Sequence, residues 1–248
     1  MADMFSFTPF APPRSDNVKM TFISWGTKIY YSQAARLLLR NSLFCLEREL
    51  KGCDTVLDLG CGHNSFLQYV ESKFSVGVEY FMPYLLESRR KGIHNLYVRA
   101  DIRNVELAPG SFDAVLLLNV IEHLDRQSVF NVLSKAAVIA RKKIIVISPN
   151  GFLDQAAADG NELQAHKSGW RPDELAKEGF KAYGVNGLII FRKDSHRAGQ
   201  QDYENSLLST IKFRPRIFWL IAAELSQLIA YYLPGSAFEV FYAKKKGG

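Results

Sequence analysis

Apolar positions in the central part of the chain fall into short continuous runs separated by segments with helical spacing. Residues 114–118 and 144–147 are almost entirely apolar, which is typical of strands buried on both faces of a sheet. Runs of both kinds alternate from Thr55 to Ser148, so we predict β–α units and a parallel sheet between two layers of helices. The predicted strands are 55–59, 75–79, 96–99, 112–119 and 143–148, and the predicted helices are 30–50, 65–72, 82–91 and 128–140.

The pattern changes after Asn150. We predict a polar loop over 149–171 and a broadly apolar helix over 215–233. The aromatic residues of 1–28 predict that this irregular arm packs as a cover. Shorter predicted elements are a helix at 172–177 and strands at 180–185, 188–192 and 238–242. The chain therefore divides into an arm with a cover helix, a core, a helical insertion, and a last strand with a basic tail, over 1–52, 53–192, 193–236 and 237–248.

Composition narrows the class of protein. The 248 residues are 48% hydrophobic and 23% charged, as in ordinary globular chains with a sizeable core. A net charge of +6 is only a weak indication of nucleic acid or an anionic membrane as partner. Three cysteines without regular spacing argue against a disulfide framework or a zinc site. Residues 1–10 lack the pattern of a signal peptide, so we expect a cytoplasmic location.

A glycine turn follows the first predicted strand of the core. Asp58 ends the apolar run of this strand, and Gly60 and Gly62 follow it. Glu79 ends the next predicted strand, 21 positions after Asp58. Such a turn lets backbone N–H groups approach a cofactor, and an acidic side chain at this distance accepts hydrogen bonds from ribose hydroxyls. The pattern therefore predicts a site for a nucleoside cofactor.

Two cofactor classes fit this turn. A dinucleotide site uses a third glycine beside the pyrophosphate, but His63, Asn64 and Ser65 follow Gly62 here. S-adenosylmethionine has no pyrophosphate and needs only the turn, the acidic ribose partner and an adenine slot. We therefore favour S-adenosylmethionine, with a nicotinamide-dependent dehydrogenase as the alternative.

Four motifs in order make the chain similar to a known family. They are Val56 to Gly62, then Val78-Glu79, then Ala100-Asp101-Ile102, then Ser111 to Leu124 with its Asn119-Val120-Ile121-Glu122-His123 segment. Together they resemble the class I S-adenosylmethionine-dependent methyltransferases, methyltransferase type 11-like, over about residues 50–150. The resemblance implies a Rossmann-like three-layer α/β sandwich with a seven-stranded, mostly parallel sheet and an antiparallel last strand. To this fold the chain adds an N-terminal helix and an apolar helical insertion before the last strand.

The resemblance also implies roles for residues at the cofactor site. Gly60 and Gly62 would shape the turn under the methionine end of S-adenosylmethionine, and Asp58 would help hold its amino group. Glu79 would bind the ribose hydroxyls, and Tyr80 would pack against the adenine. Family members often have a third glycine where Asn64 stands, and this departure leaves the shape of the turn open.

Five more residues complete the implied cofactor site. Asp101 would accept a hydrogen bond from the adenine amino group, and Ile102 would lie against the ring. Asn119 would offer its backbone carbonyl, with Val120 beside it. Cys61 belongs to the same turn, where we expect a small filler rather than a nucleophile.

Glu122 and His123 follow the strand 112–119, at the edge where open α/β sheets bind ligands. Histidine has a pKa suited to a general base near neutral pH, so both residues are candidates for removing a proton from the methyl acceptor. The alternative is structural, with His123 bonded to the backbone. The sequence shows no third metal ligand beside this pair, and we predict no metal site.

The predicted loop 149–171 follows the strand 143–148 and overhangs the same edge. A long polar loop is seldom mere linkage, so we take Asn150, Gln155, His166 and Trp170 as candidates for binding the acceptor. His166 is also a candidate catalytic residue. The alternative is that His166 and Trp170 hold the loop on the sheet.

The insertion is apolar except at Glu224 and Gln227, which are three apart and share a helix face. It is too short for a confident membrane span, but its aromatic ends and basic flanks are typical of a helix lying in a membrane surface. That interpretation predicts a protein peripheral at the inner face of the membrane. A helix buried in the core or in a homodimer interface is the alternative.

These observations favour an enzyme that moves a methyl group from S-adenosylmethionine to an oxygen, nitrogen or carbon of a small-molecule or lipid-linked acceptor. A non-catalytic scaffold of the same fold, binding a membrane or protein partner through 215–233, is the alternative. A nucleic-acid substrate ranks below both. Residues 119–122 stand where an Asn/Asp-Pro-Pro-aromatic signature for methylating bases would be, and they do not match it.

Overall fold

The computed structural model describes residues 33–157, 159–193 and 210–246. Seven strands form one sheet in the order β3-β2-β1-β4-β5-β7-β6. The strands are β1 Thr55–Leu59, β2 Phe74–Val78, β3 Leu96–Val98, β4 Phe112–Leu118, β5 Ala140–Pro149, β6 Lys181–Leu188 and β7 Ala237–Lys245. Only β7 runs antiparallel to its neighbours, β5 and β6, as the sequence predicts. The three-layer α/β fold with an antiparallel last strand is thus confirmed.

Seven α-helices lie within the described residues. They are α1 Gln33–Leu39, α2 Ser42–Leu50, α3 Met82–Lys91, α4 Arg126–Ile139, α5 Pro172–Lys177, α6 Arg216–Leu225 and α7 Gln227–Ala230. The single helix predicted over 30–50 is wrong in this respect, because Arg40 takes a left-handed conformation and Asn41 caps a new helix by accepting from the Phe44 N–H. The predicted packing of the arm 1–28 lies outside the described residues.

The central strands are buried on both faces because their apolar runs are continuous. In β4, Val115 and Leu117 face one core cluster, together with residues of α4. Ala114 and Leu116 face the other cluster, together with residues of α2. This alternation with period two produces one core above the sheet and one below it.

Two short predicted elements are corrected by the structure. The helix predicted over 65–72 is a single 3₁₀ turn, Phe66–Tyr69, and the strand predicted over 188–192 gives way to another, Ile189–Phe191. Asn186 and Gly187 take left-handed conformations that end the regular course of β6. Beside the first turn, a cavity of about 1460 Å³ opens between α2 and α3, at the edge of the sheet opposite the carboxyl ends of β1 and β4.

The insertion packs directly on β6, and Ser226 divides it into α6 and α7. A Cβ at Gly184 would lie 2.0 Å from the Ala230 carbonyl oxygen, and one at Gly187 would lie 2.2 Å from that of Ala223. Glycine at both positions therefore permits the close approach of helix and strand. None of the helices among the described residues is long and apolar enough to cross a bilayer.

The polar side chains of the insertion face the protein. The Gln227 side chain is fully buried, accepts from the Gly187 N–H and donates to the carbonyls of Gly184 and Arg40. Glu224 pairs with Arg192 at 2.7 Å. The opposite side is apolar and exposed, with exposed fractions from 43% to 65%. We name this surface the outer face, formed by Ile217, Phe218, Ile221, Leu225, Leu228, Ile229, Tyr232 and Leu233.

Candidate active site

The glycine turn after β1 is held against two neighbouring strands. The N–H groups of Gly60 and Cys61 both donate to the Val78 carbonyl at the end of β2, at 2.8 and 3.0 Å. Gly60 has φ +74°, and a Cβ there would lie 2.7 Å from Cγ2 of Val120, which follows β4. The turn therefore requires glycine both for its backbone conformation and for its packing.

Glu79 closes the turn from the other side. Its carboxylate accepts from the Gly62 N–H at 3.1 Å and from the Phe81 N–H at 2.7 Å. Partial burial raises the pKa of Glu79, and these hydrogen bonds act against that rise. A Cβ at Gly62 would meet no atom within 4 Å, so there is open space over this part of the turn. The predicted pair of a glycine turn and an acidic side chain is thus assembled at one place.

Asp58 lies beneath the turn rather than in the open cleft. It is buried, accepts from the Ser65 hydroxyl at 2.6 Å, and lies 3.5 Å from Nε2 of His94. Burial raises the pKa of Asp58 to about 7 and lowers that of His94 to about 4, so burial opposes a charge on either group. In this structure Asp58 supports the turn through Ser65, and a direct role with the cofactor stays a prediction.

Cys61 is buried between strand and helix. Burial raises the pKa of its thiol well above the ordinary range, which makes the thiolate scarce and the sulfur unreactive. All three cysteines are buried and free. The position of Cys61 agrees with a filler of the turn.

The predicted adenine side is more open. Tyr80 is 51% exposed, and its ring lies beside the Arg99 guanidinium. The Asp101 carboxylate accepts from the Arg103 N–H and guanidinium; the hydrogen bonds from this side chain are the main cause that lowers the pKa of Asp101. Ile102 is partly buried and packs against the core.

Asn119 begins the turn after β4. Its φ of +55° is in the left-handed region, and its N–H donates to the Ile147 carbonyl at 2.9 Å. Its Oδ1 is buried without a hydrogen-bond partner among the described residues. An unpartnered buried acceptor is costly, so Asn119 is suited to receive a ligand group at this edge.

A cluster of Glu122, His123 and His166 lies at the same edge of the sheet, next to the residues predicted to bind the cofactor. The segment before Trp170 docks on the turn after β4, where the N–H groups of Lys167 and Ser168 donate to the Glu122 carbonyl. Docking brings the ring centroids of His123 and His166 to 4.8 Å. Ligand atoms from all three side chains lie within 4.8 Å of one another.

The electrostatics of the cluster follow from burial. Glu122 is 3% exposed, and burial raises its pKa to about 8. Burial and the nearby His166 lower the pKa of His123 to about 4. His123 is therefore neutral at neutral pH, where a ring nitrogen can accept a hydrogen bond, and the lowered pKa makes it a weak base.

The remaining loop candidates have different positions. The Asn150 amide donates to the carbonyls of Pro234, Gly235 and Ala237, which ties the end of β5 to the loop after the insertion. The Gln155 amide donates to the Gln164 carbonyl, and its own carbonyl receives the His166 N–H. Trp170 is 1% exposed within the core, which favours its holding the loop over its binding an acceptor.

Sequence reasoning missed one contact across the cleft. The Tyr84 hydroxyl, on α3, donates to the Asp159 carboxylate of the loop at 2.6 Å, and the Tyr84 ring lies 4.5 Å from that of His63. The loop after β5 thus reaches over the glycine turn to α3. No local pattern marks this pair, because it depends on the path of the loop.

Comparisons with known proteins agree with this geometry. Residues 57–142 match the family model described as a methyltransferase domain. A protein from Papaver bracteatum named as an (S)-tetrahydroprotoberberine N-methyltransferase is 27% identical over 99 residues, which are 36% of this chain and 27% of that protein. A protein from Encephalitozoon cuniculi (strain GB-M1) named as a methyltransferase is 28% identical over 148 residues, which are 56% of this chain and 68% of that protein.

A crystal structure shows the fold over most of the chain. It is that of a S-adenosylmethionine-dependent methyltransferase from Archaeoglobus fulgidus, 19% identical with a TM-score of 0.51, covering 91% of this chain and 100% of that one. The match to the Papaver protein, in contrast, spans only about a quarter of its length. Residues 57–142 therefore form a methyltransferase domain, the chain shares its fold with a S-adenosylmethionine-dependent methyltransferase, and its cofactor is S-adenosylmethionine.

Proposed function

We propose that the chain transfers a methyl group from S-adenosylmethionine to a small-molecule or lipid-linked acceptor bound over Glu122, His123 and the loop after β5. The observation that carries the proposal is that the glycine turn and the cluster of Glu122, His123 and His166 lie at the same edge of the sheet. Val120 packs on Gly60 of the cofactor turn and is two residues from Glu122. A cofactor held by the turn and by Glu79 would thus direct its methyl group toward the Glu122 cluster.

Methyl transfer is an in-line displacement, so the main task of the protein is to align the two reactants. An oxygen, nitrogen or carbon acceptor that carries a proton also needs a base. His123, neutral at neutral pH, is our candidate, and His166 lies beside it. Gln155 supports His166 through its backbone carbonyl.

We further propose that the outer face lies in an anionic membrane surface. A helix on a protein surface normally buries its apolar side, whereas here Glu224 and Gln227 face inward and the apolar side faces out. The exposed Lys212 and Arg214 precede α6, the exposed Arg216 begins it, and all three suit acidic lipid headgroups.

The position of the outer face supports an acceptor that comes from the lipid phase. The loop after α7 is tied to Asn150, at the end of β5 and beside the proposed acceptor site. A lipid-linked acceptor would therefore have a short path from the surface to the site. A homodimer through the same face is the competing interpretation.

Titration calorimetry tests the cofactor. We expect micromolar binding of S-adenosylhomocysteine and none of NADH, and strong loss of binding in Glu79→Ala. Binding of NADH in place of S-adenosylhomocysteine would overturn the methyl-transfer proposal.

Labelling tests the acceptor. The protein is incubated with methyl-labelled S-adenosylmethionine and an extract of its source cells, followed by separation into lipid, aqueous and macromolecular fractions. Label in the lipid fraction is expected. Label in aqueous metabolites contradicts the lipid-linked acceptor only. No label in any fraction, with S-adenosylhomocysteine bound, would favour the non-catalytic scaffold.

Flotation with vesicles tests the membrane surface. Phosphatidylserine-containing vesicles should carry the wild-type chain, and Phe218→Asp with Ile221→Asp should release it. Val138→Asp is the matched control, because Val138 is exposed to a similar extent, 50%, on α4. Unchanged flotation of the double variant would refute the proposal, and a fall from dimer to monomer in light scattering would support the homodimer instead.

A further inference from the structure

The cluster at the acceptor edge has the composition of a metal site. Glu122, His123 and His166 present one carboxylate and two imidazoles, and their ligand atoms lie within 4.8 Å of one another. Ligands of one zinc ion at about 2.1 Å are at most about 4.2 Å apart, so small side-chain rotations would complete the coordination. The sequence separates His166 from the other two by more than 40 residues, and only the docking of the loop joins them.

Hydrogen bonds to the backbone orient both imidazoles. Nδ1 of His166 lies 2.8 Å from the Leu153 carbonyl oxygen, and Nδ1 of His123 lies 3.4 Å from that of Ala165. A carbonyl oxygen only accepts, so these contacts place the ring proton on Nδ1 and the lone pair on Nε2. Histidines that bind metals commonly donate their other ring N–H to a backbone carbonyl in this way.

Glu122 supplies an independent indication of a cation. It is 3% exposed, and its Oε2 is buried without a hydrogen-bond partner among the described residues. A buried carboxylate oxygen without a partner is costly unless it is protonated or faces a positive charge. Half-exposed His123 and His166 leave the cluster accessible from the surface.

We propose that Glu122, His123 and His166 bind one divalent transition-metal ion of the Zn²⁺ type, with the remaining coordination positions open to water or to an oxygen of the acceptor. Two histidines and a glutamate with an open position are the donor set of catalytic zinc sites. An ion here would hold an acceptor hydroxyl and lower its pKa, so that His123 would serve as a ligand of the ion and not as the base. This use of the ion rests on the proposed methyl transfer, whereas metal binding itself does not.

Metal analysis of the full chain is the direct test. Chelator-treated protein is dialysed against limiting Zn²⁺, and bound metal is measured by mass spectrometry. We expect one ion per chain, and an affinity at least about 100-fold lower in His166→Ala and in Glu122→Gln. His63→Ala is the matched control, since His63 is a half-buried histidine at the same edge outside the cluster, and it should keep full affinity.

A second readout separates metal loss from misfolding. Co²⁺ should give visible absorption bands in the wild type that disappear in His166→Ala, while S-adenosylhomocysteine binding by the same variant shows that it is folded. Absence of stoichiometric Zn²⁺ in the wild type, or full affinity in both cluster variants, would overturn the site. Metal binding without any methyl transfer would support the metal site and contradict the proposed function. Methyl transfer by protein that binds no metal would support the proposed function and overturn the metal site.

Discussion

Gly60 is constrained both by its positive φ and by its contact with Val120. Gly60→Ala should lower the free energy of unfolding by about 2–4 kcal/mol, because the added Cβ meets Val120 and φ stays positive. Gly62→Ala is the matched control: it has the same backbone problem but open space, and should cost only about 1 kcal/mol. Urea unfolding measures both values.

The double variant Gly60→Ala/Val120→Ala separates the two causes. Removing the Val120 methyl groups relieves the clash but not the strain of a positive φ, so part of the lost stability should return. Strict additivity of the two single changes would show that Val120 and Gly60 do not interact.

Asp113 connects β1 and β4 at the opposite edge. It is buried, accepts from the Asp54 N–H at 2.8 Å, and pairs with Arg141 and Lys142. Burial alone would raise the pKa of Asp113, but the N–H groups of Asp54 and Thr55 together with Lys142 lower it. A lowered pKa means stability that is present above about pH 4 and lost as pH falls through the native value.

Asp113→Asn should therefore cost about 1.5–3 kcal/mol at pH 7. The difference from the wild type should shrink below about pH 4, where the wild-type carboxylate also becomes protonated. Denaturant unfolding at several pH values checks this, with the exposed Asp173→Asn as control. A difference that does not change with pH would show that the charge of Asp113 is irrelevant.

At the residue scale, motifs of residues close in sequence were predictable, whereas contacts between residues far apart in sequence were not. Gly60, Gly62 and Glu79 could be identified because a turn and the next strand end are close in sequence. His166 could be singled out by its loop, but its place beside His123 depends on docking through Lys167 and Ser168. Burial of Trp170 likewise depends on where the loop packs.

The buried side-chain amide of Gln227 helps attach the insertion to the sheet. Gln227→Leu removes the hydrogen bonds to the Gly187 N–H and to the carbonyls of Gly184 and Arg40, so we expect a loss of about 2–5 kcal/mol in the free energy of unfolding. Leu228→Gln, on the neighbouring outward position, should change it by less than about 0.5 kcal/mol. Equal effects of the two substitutions would contradict the inward orientation of Gln227.

At the element scale, periodicity predicted that 215–233 is apolar and helical, but not which side faces the protein. A polar pair on an apolar helix normally marks the solvent side. Here the backbone groups of β6 left unpaired by the left-handed turn at Asn186 and Gly187 need partners, and Gln227 supplies one. These backbone groups of β6 therefore determine which face of the helix is turned toward the sheet.

For the whole molecule, cofactor binding and folding are linked. S-adenosylhomocysteine at about 100 times its Kd should add about 2.7 kcal/mol to the stability of the folded state. In a chain of this size that corresponds to a rise in Tm of about 5–11 °C. Differential scanning fluorimetry measures it, and Glu79→Ala should show little or no rise. A full rise in that variant would remove Glu79 from the cofactor site.

The whole fold was predictable because its topology follows from the order of strands and helices. Alternation of β and α from Thr55 to Ser148 leads to a parallel sheet, and the strand Ala237–Lys245 after the insertion lies antiparallel beside β5. The acceptor half of the site was less predictable, since it is built from loops whose paths no local pattern determines.

The inverted polarity of the insertion also bears on how this protein can evolve. Gly184 and Gly187 of β6 can carry no side chain, because a Cβ would meet the backbone carbonyls of Ala230 and Ala223, so these two positions should not vary. The outer face has no such steric limit. Its residues can exchange among Leu, Ile, Phe and Val without a steric penalty, so related sequences should diverge there first while the contact between the insertion and β6 stays constant.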